Sequence, residues 1–236
     1  MISKIESNQV VNISVIIPTI NEASNLPLLL SDLSDINVDG EIIIVDGGSE
    51  DKTVDIAKIY GAKVYKSKER NRGLQLDIGA QNSKGDWLMF LHADTRLTNH
   101  WFAKIKLVLK GDKKFIYYFK FKVNHKKKIY RILEIFVDIR SKYFKKPYGD
   151  QGLIIHRSNY LKNNGFKKIP LMEDVDFLKR LHNKNDLKQL NLPIFTSSRK
   201  WEGTNIFQQA FKNWRFRKRW LKGESIESIF SDYYKK

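Results

Sequence analysis

The sequence predicts an α/β protein with a mostly parallel central sheet flanked by helices. Three observations predict it. Strand and helix signals alternate through the first half of the 236 residues. The strands are short apolar runs rich in β-branched residues, the pattern of strands buried on both faces. Two of them end in an acid: Ile42-Ile43-Ile44-Val45-Asp46 and Trp87-Leu88-Met89-Phe90-Leu91-His92-Ala93-Asp94. Strands joined through helices make right-handed crossovers and hence parallel pairs. Open sheets of this kind bind ligands at the carboxyl ends of their strands.

Each element has its own signal. Ile13 to Ile17 is the first strand, stopped by Pro18. Leu26 to Leu33 has helical spacing, with Ser24 or Asn25 as cap and Pro27 in the first turn, where a proline is tolerated. Ile42 to Val45 is the second strand, and Gly47-Gly48-Ser49 turns it into a helix from Asp51 to Tyr60, ended by Gly61. Ala62 to Tyr65 is a third short strand. Leu74 to Asn82 is a helix closed near Gly85, and Asp86 to Leu91 is the fourth strand. After Asp94 the rhythm changes. Trp101 to Leu109 is helical and Phe115 to Val123 is a long strand. Lys126-Lys127-Lys128 then leads a helix carrying Ile129, Ile132, Leu133, Phe136, Ile139 and Tyr143. Its spacing suits a helix packed on the sheet, one lying on an anionic bilayer, or one lining an apolar acceptor groove. A helix begins near Glu173, and Pro193 to Thr196 is a strand. The last helix runs from Ile206 through Phe207, Phe211, Trp214, Phe216 and Trp220, with Lys212, Arg215, Arg217, Lys218 and Arg219 interleaved.

Composition excludes several classes. A chain of this length suits one domain with a sizeable core. Its 42% hydrophobic and 12% aromatic content is globular rather than disordered. Without cysteine there are no disulfides, thiolate metal sites or cysteine nucleophiles. No run approaches the ~18 uncharged apolar residues of a membrane span. Met1 to Asn12 is polar and lacks the apolar stretch of a signal peptide. A cytoplasmic location is the expectation. Lysine and arginine number 43 against 26 acids, a net charge of +17. That balance favours nucleotide phosphates, nucleic acid or an acidic membrane surface as partner. A lysine-rich solvated surface is the plainer alternative.

Acids at the ends of buried strands are the strongest chemical signal. Asp46 either reaches a ligand or belongs to an ordinary strand-to-helix turn with Asp51 as cap. Asp94 offers oxygen to a divalent cation, or caps a turn; His92 assists or packs. Glu173 and Asp174 begin a helix, where the dipole stabilises negative charge. One of them is a candidate general base and the other structural, or the two form a capping cluster. Arg70, Asn71, Arg72 and Gly73 combine an arginine fork suited to phosphate with a glycine that permits close backbone approach. Arg199 and Trp201 follow a strand and could hold a phosphate and stack on an acceptor ring.

Together these pieces resemble the family 2 glycosyltransferases, which have the GT-A fold, a Rossmann-like sandwich. Val15-Ile16-Ile17-Pro18-Thr19-Ile20-Asn21-Glu22 is similar to their first strand and turn. Val45-Asp46-Gly47-Gly48-Ser49-Glu50-Asp51 is similar to their second-strand motif. Phe90-Leu91-His92-Ala93-Asp94-Thr95 stands where they carry a metal-binding DXD element, with His92 in place of the first acid. Met172-Glu173-Asp174 resembles their ED element. Arg72-Gly73-Leu74-Gln75 and Gly149-Asp150-Gln151-Gly152 point to a subgroup of small, soluble bacterial members, in which Asp77 departs from the expected asparagine. Arg199 and Trp201 are similar to part of a Q-x-x-R-W element, with wider spacing and no glutamine at the expected offset.

The resemblance implies an inverting hexosyltransferase moving a sugar from a nucleotide-diphospho-sugar to an acceptor hydroxyl, with Mn²⁺ or Mg²⁺ as cofactor. It implies Asp174 as base with Glu173 beside it, and Asp94 as metal ligand. Donor contacts fall to Pro18, Glu22, Asp46, Arg72, Gln75, His92, Asp94 and Arg199. Acceptor contacts fall to Asp150, Gln151 and Trp201. We expect one domain over 1–236: a nucleotide-sugar half at 12–96, an acceptor and catalytic half at 97–201, and a basic-aromatic helical segment at 202–236. The acceptor is expected to be a carbohydrate or lipid-linked, with the enzyme peripheral at the inner face of the cell membrane and no nucleic acid bound. The alternatives are a nucleotidyl enzyme, and a nucleic-acid or anionic-surface binder with an inactive transferase-like fold. A nucleotidyl enzyme would carry a glycine-rich basic loop after the first strand, which Pro18-Thr19-Ile20-Asn21-Glu22 is not.

Overall fold

The computed structural model describes residues 12–197 and 206–234. Its strands are β1 (Ile13–Thr19), β2 (Gly40–Asp46), β3 (Lys63–Lys66), β4 (Trp87–Phe90), β5 (Thr95–Leu97), β6 (Ile116–Val123), β7 (Leu153–His156) and β8 (Leu187–Thr196). They form one sheet in the order β3-β2-β1-β4-β7-β6-β8-β5. Six of the eight run in one direction; β7 is antiparallel to β4 and β6, and β5 to β8. β1 continues through Pro18 to Thr19 rather than stopping at it. The β1–β4 ladder ends at Ile16 and Phe90, so the missing proline N–H falls where that ladder needs no donor.

Strand alternation fills two layers. Val15, Ile17, Ile44, Met89 and Leu91 face a core closed by α1 (Leu26–Asp32), α2 (Thr53–Ile59) and α4 (Trp101–Leu109). Ile16, Ile43, Val45, Leu88 and Phe90 face the opposite core, closed by α3 (Arg72–Gln81), α6 (Arg157–Lys162) and α7 (Glu173–Arg180). A sheet covered on both faces explains why its strands read as unbroken apolar runs.

Two glycines let backbone pass where a side chain would collide. A Cβ on Gly79 would stand 2.3 Å from Ile16 Cγ2, so α3 lies directly on β1. A Cβ on Gly73 would stand 2.0 Å from Lys167 O. Gly73 N donates to Ile169 O (3.0 Å), and Asn71 Nδ2 to Lys168 O (3.1 Å). The start of α3 is thereby pressed onto the segment leading into α7. The close approach permitted by Gly73 is to the chain itself.

The amphipathic helix after Lys128 is α5 (Ile129–Lys142). Its buried side is Tyr130, Glu134, Val137 and Ser141, packed on β6. Ile129 and Leu133 are partly buried, whereas Ile132, Phe136, Ile139 and Tyr143 are exposed. The basic-aromatic helix is α8 (Ile206–Leu221), followed by α9 (Ile226–Tyr234). Phe216 is buried among Leu171, Met172, Val175 and Ile229 at the start of α7, while Phe211 and Trp214 are exposed.

Candidate active site

The site forms at the carboxyl ends of β1, β2 and β4, where loops and helix starts meet. Asp46 is buried, and its carboxylate accepts from its own turn: Gly48 N (3.0 Å), Ser49 N (2.9 Å), Ser49 Oγ and Thr19 Oγ1 (3.2 Å). Four donors on one carboxylate fix the Gly47-Gly48-Ser49 loop. The turn after β1 is tied to it. Glu22 N donates to Thr53 Oγ1 (2.8 Å), Ala23 N to Asp51 Oδ2 (3.1 Å) and Glu50 N to Asn21 Oδ1 (2.9 Å). Asn25 Nδ2 donates to Glu22 Oε2 (2.6 Å). Gln75, buried on α3, donates Nε2 to both Thr19 O (3.0 Å) and Val45 O (2.8 Å). It clamps the ends of β1 and β2 together. Pro18 and Glu22 are half-buried beside this clamp.

His92, Gly149 and Asp174 come together across the sheet. A Cβ on Gly149 would stand 3.0 Å from His92 Nε2 and 3.4 Å from Asp174 Oδ2. Gly149 N donates to Asp174 Oδ2 (2.8 Å), and Val175 N to Asp174 Oδ1 (2.7 Å). Each oxygen retains a further lone pair. Met172, the residue before α7, adopts φ 66°, a left-handed conformation uncommon for a non-glycine residue. Such positions concentrate at functional sites; this one sets the direction in which Glu173 and Asp174 leave the backbone.

The two adjacent acids have different surroundings. Glu173 is fully buried and takes a bidentate ion pair from Arg72 Nε and Nη2. Burial pushes its carboxyl above the usual range, and Arg72 opposes that rise. Burial pulls Arg72 down, but Glu173 overrides it and the guanidinium is held more firmly charged than usual. Asp174 is half-buried and borders an apolar cleft lined by Leu76, Phe90, Tyr148, Leu153 and Phe177.

On the far side, Gln151 is fully enclosed. Its Oε1 accepts from Ser141 Oγ (2.6 Å) and Arg140 Nη2 (3.1 Å), and its Nε2 donates to Phe119 O (3.2 Å). Arg140 and Arg217 each place a guanidinium over the Tyr148 ring, 4.2 and 4.8 Å from its centroid. Burial pulls Arg140 below the usual arginine range. Asp150 Oδ1 and Arg140 Nε are buried without hydrogen-bond partners among the described residues, and the Asp150–Arg140 ion pair is long at 3.9 Å. The Arg140–Tyr148–Arg217 stack was not anticipated from the sequence. One signal was available: Arg140 follows Val137 by three, which puts a cation beside the buried side of α5.

Asp94 is buried just past β4. No cluster of three or more acids or histidines occurs among the described residues. A single carboxylate is a donor that Mg²⁺ or Mn²⁺ accepts when water and substrate phosphates complete the shell. Arg199 and Trp201 lie outside the described residues.

The fold, a mixed sheet flanked by helices, is that of the GT-A glycosyltransferases. S. aureus TarS 1-349 in complex with UDP superposes with a TM-score of 0.64 at 19% identity, covering 79% of this chain and 60% of that one. Glucosyl-3-phosphoglycerate synthase from Mycobacterium tuberculosis, in complex with Mn²⁺, UDP and glucosyl-3-phosphoglycerate, gives 0.56 at 21% identity, covering 77% and 70%. The chain belongs to glycosyl transferase family 2, whose sequence profile matches residues 14–172. A 4,4'-diaponeurosporenoate glycosyltransferase of Staphylococcus haemolyticus is 39% identical over 103 residues, 41% of this chain and 28% of the relative. A PGL/p-HBAD biosynthesis glycosyltransferase of Mycobacterium bovis is 37% identical over 91 residues, 36% of each. The chain thus spans about a third of the length of these relatives.

Proposed function

We propose that this glycosyltransferase moves a hexosyl group, with inversion, from a nucleotide-diphospho-sugar to an acceptor hydroxyl. The convergence of His92, Gly149 and Asp174 at one cleft carries the reading. Asp174 is the base. The acceptor oxygen attacks the anomeric carbon as the bond from that carbon to the diphosphate oxygen breaks. The acceptor proton passes to Asp174, and the nucleoside diphosphate departs. Gly149 N holds Asp174 in place, and the Arg72–Glu173 pair fixes the start of α7 behind it.

Asp94, with His92 beside it, would hold a divalent cation, Mn²⁺ or Mg²⁺. The chemistry such a cation supplies is neutralisation of the diphosphate charge. The loops organised by Asp46 and Gln75 form the nucleotide floor, with Pro18 and Glu22 at its edge. Asp150 faces the acceptor, a role supported by its buried Oδ1, which has no hydrogen-bond partner among the described residues and only a long ion pair to Arg140 Nη2. Gln151 positions the Asp150 loop from within. The acceptor is a carbohydrate or a lipid-linked molecule. The chain works as one domain, with 12–96 for the donor, 97–201 for the acceptor and catalysis, and 202–236 as a basic-aromatic C-terminal segment.

The test is paired assays on Asp174→Asn. Retained nucleoside diphosphate binding with lost transfer is expected. Transfer at the wild-type rate would refute the assignment, and loss in Glu173→Gln alone would reverse the roles.

A further inference from the structure

We infer that the chain docks through α5 and α8 onto an anionic bilayer and takes its acceptor from that bilayer; the second clause rests on the transferase reading above. On α5, Ile132, Ile135, Phe136, Ile139 and Tyr143 are 41 to 79% exposed. They lie at i, i+3, i+4, i+7 and i+11, one continuous helix face opposite the side packed on β6. Single exposed apolar residues are ordinary, but a contiguous stripe rimmed by charge marks an interaction surface. The rim is cationic: Lys126, Lys127 and Lys128 at one end and Lys146 beyond the other are all exposed. α8 repeats the pattern. Exposed Phe211 and Trp214 stack with ring centroids 5.5 Å apart, and Lys218 Nζ lies 4.9 Å from the Trp214 centroid. Arg140 of α5 and Arg217 of α8 meet at Tyr148, so both helices adjoin the cleft that holds Asp174.

Charge selects the occupant. A second copy would bring the same cationic rim to this face, and each chain carries +17. A nucleic acid would match the charge but leave the isoleucines in water, since bases stack on aromatic rings. An anionic bilayer satisfies both. Acidic headgroups meet the lysines, the aliphatic groups enter the acyl boundary, and tryptophan and tyrosine sit at headgroup level. A hydroxyl carried by an amphiphile in that layer is held beside Tyr148, which borders the site of Asp174.

The test is sedimentation of the full chain with phosphatidylglycerol vesicles and with pure phosphatidylcholine vesicles, at low and high salt. Binding to the first, weakened by salt, is expected. The double substitution Ile135→Gln/Phe136→Gln is expected to lower the partition constant by about tenfold or more. Bromine-labelled lipid is expected to quench Trp214 in the wild-type chain. UDP or GDP with Mn²⁺ is added to the same preparations; equal thermal stabilisation of wild type and variant shows that the variant is folded. No vesicle binding at low salt overturns the inference. So does binding that survives the double substitution with the tryptophans unquenched, or a dimer that the substitution converts to monomers. Vesicle binding without stabilisation by any nucleoside diphosphate keeps the docking face and removes the acceptor clause together with the transferase reading.

Discussion

Replacing Arg72 with methionine tests how the start of α7 is held. Glu173 is fully buried and Arg72 is its bidentate partner. Removing one member of such a pair leaves an uncompensated buried charge and costs about 3–5 kcal/mol. The Arg72 side chain keeps 33% exposure, so water screens the pair and the lower end is expected. For a chain of this length a loss of about 3 kcal/mol lowers Tm by roughly 6–12 °C. The effect should depend on pH. The Glu173 carboxyl already lies above its ordinary range because of burial, and Arg72 limits that rise. Without Arg72 the rise grows. A carboxyl whose folded value exceeds its unfolded value binds more protons when folded, so stability falls as pH rises through that interval. The deficit of Arg72→Met is therefore largest near about pH 8 and shrinks toward about pH 5, as Glu173 takes up a proton. Arg72→Met/Glu173→Leu removes both charges and should recover most of the loss. Urea unfolding of the three proteins at both pH values measures this. A deficit of under about 1 kcal/mol at the higher pH, or a double variant no more stable than the single one, would refute the reasoning.

Asp174→Asn should lower the transfer rate by about 10²–10⁴ while leaving nucleoside diphosphate binding intact, read by kcat beside calorimetric titration. Gly73→Ala should fail to fold or lose several kcal/mol by thermal melting, because its Cβ would meet Lys167 O at 2.0 Å. Moderate loss would mean the start of α3 can lift from the segment before α7.

The parallel half of the fold was legible because β1, β2 and β4 are apolar runs ending at recognisable turns. The remaining strands were harder for physical reasons. β5 is three residues long and owes its place to β8. β7 is the four-residue run Leu153–His156, too short for periodicity to separate strand from helix. β8 alternates buried and less buried positions from Leu190 onward, but the sequence signal marks only its end as a strand. Helices α6 and α9 carry no sequence signal of their own strong enough to mark them. At the site, residue types were legible but side-chain directions were not. Arg72 is a phosphate-type fork in sequence, yet in the structure it grips Glu173. Asp46 and Gln75 look like ligand contacts, yet they bind the loop and strand ends that surround them. A polar residue at a strand end serves ligand and backbone alike, and only the fold distinguishes them. In α5 the apolar spacing is real, but most of it faces outward.

The central claim is that this sheet edge binds a nucleotide-diphospho-sugar with a divalent cation at Asp94. The most direct measurement is thermal stabilisation of the wild-type chain and Asp94→Ala by UDP and GDP, each with and without Mn²⁺, beside an oligonucleotide control. At least one nucleoside diphosphate is expected to stabilise the wild type, more strongly with Mn²⁺, and Asp94→Ala is expected to lose the Mn²⁺-dependent part. Stabilisation by oligonucleotide alone, or an unchanged Mn²⁺ effect in Asp94→Ala, would contradict it.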